Sequence, residues 1–282
     1  MWGNMKIKIL LKYSKMYEKL GEIAKKNREA YCKLHGYTLV VDDVEISSKY
    51  GDHRWDRYDA IKKHLHDCDW LLWTDVDVLI MNPSITLESI IGLAQNNEDI
   101  IGGFFRYGKL AADEDYSIHT GVLFIKNSEW IHNEFFNKFS EIRTVVRNMK
   151  HYMADEHTLS IIHKNKKYKN HFKLIRLDRI CSIPGQTVVE SESIESYQEN
   201  LSTVGLIRFQ KNSVPQMSNM RIYHIGDFIL HYASPLTIEL KHIFMKNFEA
   251  EAELYWGQCL PPENLDFKNK IHRNFLLNIG AM

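Results

Sequence analysis

Residues 70–83 read WLLWTDVDVLIMNP, from Trp70 to Pro83. The opening WLLWT has no charged residue and suits a strand buried on both faces. It runs into Asp75 and Asp77, and a second apolar run, Val78 to Met81, follows. On extended backbone alternate side chains share a face, so the two carboxylates are expected to point the same way and Val76 into the protein. Two acids that end an apolar strand repel each other unless something positive sits between them. Ligands of open α/β sheets gather outside the carboxyl ends of the strands, which is where this pair lies. Oxygen ligands that leave coordination positions open suit Mg2+ or Mn2+ bridging to phosphates. The pair therefore points to a divalent cation and a diphosphate substrate, although an Asp-x-Asp standing alone also punctuates turns.

Upstream, Lys6 to Leu11 predicts a first strand ending at Lys12, Tyr13 and Ser14. Met16 to His35 has helical apolar spacing and stops at Gly36; Tyr37 to Val41 is a second strand. A strand, a helix and a strand in that order predict a parallel sheet. A polar loop, Glu45 to His53, leads to a helix with Trp55, Tyr58, Ile61 and Leu65 inward and Arg57 and Lys62 elsewhere on its surface.

Downstream, a helix is expected over Ile85 to Gln95 after an Asn-Pro-Ser cap, then a strand over Asp99 to Phe105 and an acidic loop, Ala112 to Tyr116. Gly121 to Lys126 reads as a buried strand, Glu129 to Met149 as a helix, Ala154 to His163 as a short helix and Leu174 to Leu177 as a strand. Glu190 to Asn219 is polar and fits a mobile loop or lid; Arg221 to Ser234 returns to strand character. Pro235 to Trp256 is helical, and the tail from Pro261 to Met282 is polar, then amphipathic.

Composition narrows the classes. Lys plus Arg and Asp plus Glu number 36 each, so no bulk field recruits nucleic acid or an anionic membrane. Cys32, Cys68, Cys181 and Cys259 lack the spacing of zinc sites or disulfide frameworks and read as reduced packing residues. No segment has the length of a signal core or membrane span, which leads to the expectation of a soluble, cytoplasmic protein.

Other residues join the acid pair as candidates, each with a structural alternative. His231, in FILHYAS, either adds an imidazole to the metal or is a satisfied core residue. Asp155, Glu156 and His157 stand together at a helix start, where acids also serve as caps. In His119-Thr120-Gly121 the glycine allows close approach of backbone to a ligand, or merely a turn. Trp55, Trp73 and Tyr107 are able to stack on sugars or bases, or to fill the core.

Taken in order, NREAYCKLHGYTLVVDD from Asn27, RWDRYDAIKKHLHDCDWLLWTDVDVLIMNPSITLE, HTGVLFIKNSEW, DEHTLSII, LDRICSIPG and GDFILHYAS resemble the GT-A fold glycosyltransferases, and most of all family 34, the retaining α-galactosyl, α-xylosyl and α-mannosyl transferases. The resemblance implies an α/β GT-A fold with a mostly parallel central sheet flanked by helices. It implies a catalytic domain over residues 1–235 and a helical C-terminal extension, 236–282, packed on it. Asp75 and Asp77 match the metal-binding pair, and His231, at the His of the family's His-Phe-x-Gly-Cys segment, completes the metal site. Asp155 and Glu156 match the acidic pair beside the donor sugar, the candidate catalytic residues. Arg57 falls where the family has a Lys, and His157 where it has Gln. Donor contacts are expected from Tyr13, Arg57, Thr74, Val76, His119, Thr120, Gly121 and His157. HTG stands in place of the family's Asn-Thr-Gly or Asn-Ala-Gly, and Leu236 in place of the Lys that often follows the His.

The implied activity is Mn2+- or Mg2+-dependent transfer of a hexose or pentose from a nucleotide-diphosphate sugar to a glycan hydroxyl, with retention of configuration. A UDP-sugar is the first donor and GDP-mannose the second, with Tyr13 the candidate for stacking on the base. Two other classes fit the same residues: a catalytically idle sugar- or nucleotide-binding protein on this fold, and a metal-dependent phosphohydrolase, although Asp75 lacks the following Ser or Thr that the latter favours.

Overall fold

A computed structural model describes residues 5–43, 53–94, 98–107, 116–148, 154–182, 217–218 and 227–232, with parts of 238–252. The expected loop ahead of His53, the acidic loop ahead of Tyr116, most of the expected lid at 190–219, Leu236, Cys259, the side chain of Tyr107 and the tail from Pro261 lie outside them.

The chain opens as β1 (Ile7–Lys12), α1 (Glu18–His35) and β2 (Thr38–Asp42), continues with α2 (Asp56–His64) and β3 (Trp70–Thr74), and then leaves the first sheet for β4 (Val78–Ile80). Next come α3 (Leu87–Ile91), β5 (Ile100–Tyr107), β6 (Tyr116–Lys126), α4 (Phe136–Asn148) and α5 (Ala154–Lys164). After these lie β7 (Phe172–Arg176), α6 (Leu177–Ile180), β8 (Cys181–Ser182), β9 (Met217–Ser218) and β10 (Ile229–His231). The large sheet runs β2-β1-β3-β6-β5-β7, with β9 also on β5; β4, β10 and β8 make a small second sheet.

The parallel pairing predicted from the first strands holds for β1 with β2 and β3, and again for β5 with β7. Between these halves β6 runs antiparallel to both β3 and β5, so the sheet is mixed. Period-two alternation sorts the core. Ile7, Ile9 and Leu11 of β1, with Trp70 and Leu72 of β3, pack on the face that α1 covers. Leu10, Leu71 and Trp73 face the layer of α2, α4 and α5, where Tyr58 and Ile61 of the second helix and Trp55 and Leu65 at its two ends are buried as the spacing predicts. Each fully buried apolar side chain contributes about 1.5–3 kcal/mol. Cys32, Cys68 and Cys181 are buried free thiols, and Met245 and Ala252 are buried against the α1 side of the core. Among the described residues no helix is long and apolar enough to cross a membrane.

Several local expectations are corrected. Residues 75–77 form a turn between strands of different sheets, not a continuation of β3. The third helix is short, and Thr86 caps it by accepting from the Ser89 N–H at 3.3 Å; Asn82 instead accepts from Ser84 N (3.0 Å) and Oγ (2.6 Å) in a side-chain turn. Part of the expected lid is strand, since Met217 and Ser218 pair with β5.

Helix α1 does more than cover the sheet. Gly36 ends it in the left-handed region at φ 77°, where a side chain would be strained. Along one face its polar groups hold the backbone of the following segment. Asn27 both donates to Ile80 O and accepts from Ile80 N, each at 2.9 Å. His35 bonds Pro83 O at 2.7 Å, Tyr31 donates to Ile85 O, and just past the helix the Tyr37 hydroxyl accepts from Leu87 N at 3.0 Å. Residues 80–87 thus have hydrogen-bond partners on the α1 side that their own short strand cannot supply.

Candidate functional site

A cleft of ≈ 400 Å3 opens at the carboxyl ends of β1 and β3. Lys12, Tyr13, Ser14, Met16 and Tyr17 line one wall, Arg54, Arg57 and Trp73 another, and Asp75, Val76, Asp77 and Lys241 the remainder. The two acids reach it because the chain turns there. The Asp75 N–H donates to Gly121 O at 2.8 Å, tying the turn to β6, and the Tyr232 N–H donates to Asp77 O at 2.9 Å, tying it to β10. Val76 lines the cleft and is at the same time partly buried against the α1 side of the core.

Pairing of β4 with β10 sets His231 opposite Val78 and its Nε2 3.2 Å from Asp77 Oδ1. Asp75, Asp77 and His231 each offer a ligand atom within 4.8 Å of the others. Two carboxylates and an imidazole are a donor set that a divalent cation accepts. His231 Nδ1 is buried without a hydrogen-bond partner, an orphan that binding or a small shift has to resolve.

Two cations flank the pair. Arg57 Nη1 lies 3.2 Å from Asp75 Oδ1 and 3.4 Å from Asp155 Oδ2, and donates to Thr120 O at 2.9 Å. Lys241 Nζ donates to Asp77 Oδ2 at 2.5 Å. The electrostatics of the two acids diverge accordingly. Burial raises the Asp75 carboxyl above its ordinary range, with Arg57 only partly opposing; burial also pushes Asp77 upward, but His231 and Lys241 together overcome it and hold Asp77 below the carboxylate range. The Trp73 indole donates to Asp75 Oδ1 at 3.0 Å and fixes its rotamer.

Arg28 lies beneath the turn and was not among the residues the sequence singled out. Its guanidinium is fully buried and donates to Ala24 O (2.8 Å), Thr74 Oγ1 (2.7 Å) and Asp75 O (2.9 Å). Burial lowers its pKa to about 10, with Asp77 and Asp75 opposing, so it stays charged at neutral pH. A signal existed, since Arg28 falls four residues after Ala24 on the apolar face of α1. Lys241 had none, as nothing near it in sequence belongs to the site.

β6 and α5 bring in the remaining candidates. Ser160 accepts from Ile118 N (3.0 Å) and donates to Glu156 O (2.8 Å), docking α5 along β6. Asp155 and Glu156 are buried at the start of α5; burial and the adjacent Asp155 raise the Glu156 carboxyl well above its ordinary range, against a hydrogen bond from the Thr120 backbone. Burial lowers His119 well below the usual imidazole value. The His119 and His231 rings meet edge to face, 4.8 Å between centroids. Gly121 makes that approach possible, because a Cβ there would lie 2.6 Å from His119 Cε1 and 2.5 Å from His231 Cε1. Gly121→Ala is accordingly expected to cost about 1–3 kcal/mol through displaced rings. Denaturant unfolding measures it, and an unchanged midpoint would show that the imidazoles shift freely.

Of the residues singled out from sequence, Tyr13, Arg57, Asp75, Val76 and Asp77 line the cleft, and His231, Asp155, Thr120, Gly121 and His119 lie directly behind it through the contacts above. Thr74 is buried and faces Arg28, and His157 is half-buried on α5; neither lines the cleft. Trp55 is a core residue, while Trp73 has an edge in the cleft.

Comparison with known proteins agrees with this architecture. The galactosyl transferase GMA12/MNN10 family matches residues 7–98. The probable alpha-1,6-mannosyltransferase MNN10 of Saccharomyces cerevisiae is 35% identical over 75 residues, 24% of this chain and 19% of that relative, so the match spans only a small part of the yeast protein. The galactosyltransferase LgtC, solved with donor and acceptor sugar analogs, superposes with a TM-score of 0.55 at 14% identity, covering 93% of this chain and 99% of LgtC. A glycosyltransferase involved in glycosylation of the major capsid of PBCV-1 gives 0.51 at 16% identity, covering 86% and 99%. The mixed sheet with its flanking helices is the GT-A fold, and over its first third the chain resembles glycosyltransferase family 34.

Proposed function

We propose that the protein is a metal-dependent glycosyltransferase that moves a hexose or pentose from a nucleotide-diphosphate sugar, a UDP-sugar first and GDP-mannose second, to a glycan hydroxyl with retention of configuration. The observation that carries this reading is the group of Asp75, Asp77 and His231, within 4.8 Å of one another at the edge of a cleft where β1 and β3 end. Those three residues would hold Mn2+ or Mg2+. When bound, the ion neutralises the diphosphate and makes it a competent leaving group. The relatives' names, a mannosyltransferase and a galactosyltransferase, support hexosyl transfer.

The chain's own groups then divide the work. Tyr13, just past β1, offers its ring to the base, and Lys12, Arg54 and Arg57 line the cleft as cations that phosphates would approach. Arg57 also holds Asp155 in place through its ion pair. Asp155 contributes negative charge near an oxocarbenium-like sugar, whereas burial raises the Glu156 carboxyl and favours its neutral form, which can donate a hydrogen bond to a sugar hydroxyl. Retention would need no strong protein base, since the departing phosphate takes the acceptor's proton. Residues 1–235 form the catalytic part of this reading and 236–282 its helical extension.

A thermal-shift titration with UDP and GDP, each with and without Mn2+, tests it. A ligand at a hundred times its dissociation constant adds about 2.7 kcal/mol of stability. The expected result is a shift with UDP that requires Mn2+, followed by sugar transfer from a UDP-sugar. A folded protein that shifts with neither nucleotide would favour the idle-binding class, and turnover of simple phosphate esters without nucleotide would favour a phosphohydrolase.

A further inference from the structure

We infer that Lys241 is a built-in counter-cation of the Asp75–Asp77 pair that a divalent ion must displace, so that metal binds weakly alone and tightly only together with a nucleotide diphosphate. The inference rests on the metal-dependent reading above and adds an order of assembly to it. Lys241 Nζ lies 2.5 Å from Asp77 Oδ2, and both side chains are only 13% exposed. Asp77 is also one of the three residues of the candidate ligand group, so the ammonium and a metal ion compete for one carboxylate. A divalent ion that enters while the ammonium stays meets a positive charge at contact distance in a site largely withdrawn from water.

The three cationic or imidazole groups at the pair are not equivalent. Arg57 is held by Thr120 O, Asp75 and Asp155 at once, and its planar guanidinium has little freedom to leave. His231 belongs to the ligand group itself. Lys241 carries a point charge on a long flexible stem, comes from a helical segment remote in sequence, and lines the open cleft. It is the group able to move aside. Metal arriving alone adds only positive charge and offers the ammonium nothing in exchange. A diphosphate entering the same cleft brings anionic oxygens that accept the ammonium while the metal takes Asp77.

Binding of Mn2+ to the full chain, followed by the EPR signal of the free ion, tests this without reference to turnover. Lys241→Met and Lys241→Gln are compared with the unaltered protein, two variants being used in case one folds poorly, and the thermal midpoint of each is recorded. Without nucleotide, both variants are expected to bind Mn2+ at least tenfold more tightly than the unaltered protein. Saturating UDP should shrink that gap, and Asp77→Asn added to either variant should abolish the gain. If the Lys241 variants bind Mn2+ no more tightly while UDP still promotes Asp77-dependent binding, the inference fails and the metal reading stands. Mn2+ bound by none of the proteins, with or without UDP, would overturn both.

Discussion

Asp77→Asn is expected to reduce sugar transfer by roughly a thousandfold or more, about 4 kcal/mol of transition-state stabilisation, while the protein stays folded. The side chain is nearly isosteric, so the turn at 75–77 keeps its backbone anchors, Gly121 O to Asp75 N and Tyr232 N to Asp77 O. An amide oxygen still accepts from either Lys241 or His231. What disappears is the negative charge that those two groups hold ionised at a buried position. A neutral amide ligates a hard divalent ion poorly, and the diphosphate would then leave without its counter-charge. Initial rates at saturating Mn2+ and nucleotide sugar measure the loss, with circular dichroism as the check on folding. Turnover within a few fold of the unaltered protein would remove Asp77 from the metal site.

The second large effect falls on stability. Arg28→Met is expected to lower unfolding free energy by about 3–5 kcal/mol, because it removes a buried cation and with it the hydrogen bonds that Thr74 Oγ1 and the Asp75 and Ala24 carbonyls accept from the guanidinium. The methionine fills much of the volume, so a cavity contributes little, and the cost traces to the orphaned oxygens and the two nearby carboxylates. Arg28→Lys should recover part of the loss, since an ammonium keeps the charge but cannot span Thr74 Oγ1 and Asp75 O as the guanidinium does. Urea unfolding of the three proteins decides the matter. A change below about 1 kcal/mol for Arg28→Met would mean that water or a rotamer change satisfies those groups.

Much of the frame was legible because it rests on local periodicity. The unbroken WLLWT, the alternation of β1 and the apolar spacing of α1 and α2 each report burial over a few residues, and burial fixes which face packs where. The turn at 75–77 reads as strand in the sequence because Val78 to Met81 is as apolar as the strand before it, and composition does not reveal that the second run joins another sheet. Antiparallel β6 was equally hidden, since strand direction depends on connections and not on side-chain pattern. His231 illustrates the other limit. From sequence it stood between core residue and ligand; in the fold it is buried and also 3.2 Å from Asp77, because the pairing of β10 with β4 is a long-range event with three residues on each side. Lys241 and Arg28 meet the acid pair only through such contacts.

The row of polar groups that α1 extends toward residues 74–87 separates two tasks in the molecule. One helix holds the segment from below while β6 and β10 fix the turn itself, so the acids are positioned by the fold's own backbone and not by the cleft's other walls. The cleft's other surfaces come from strand ends, a short helical turn and a distant lysine, each replaceable on its own. Donor preference can thus drift by substitutions at positions such as 13, 16 and 54 while the chemistry at its centre is left undisturbed, whereas a residue inserted into α1 between Arg28 and His35 would rotate the two ends of its polar face apart by about 100°, so that they could no longer hold the segment together.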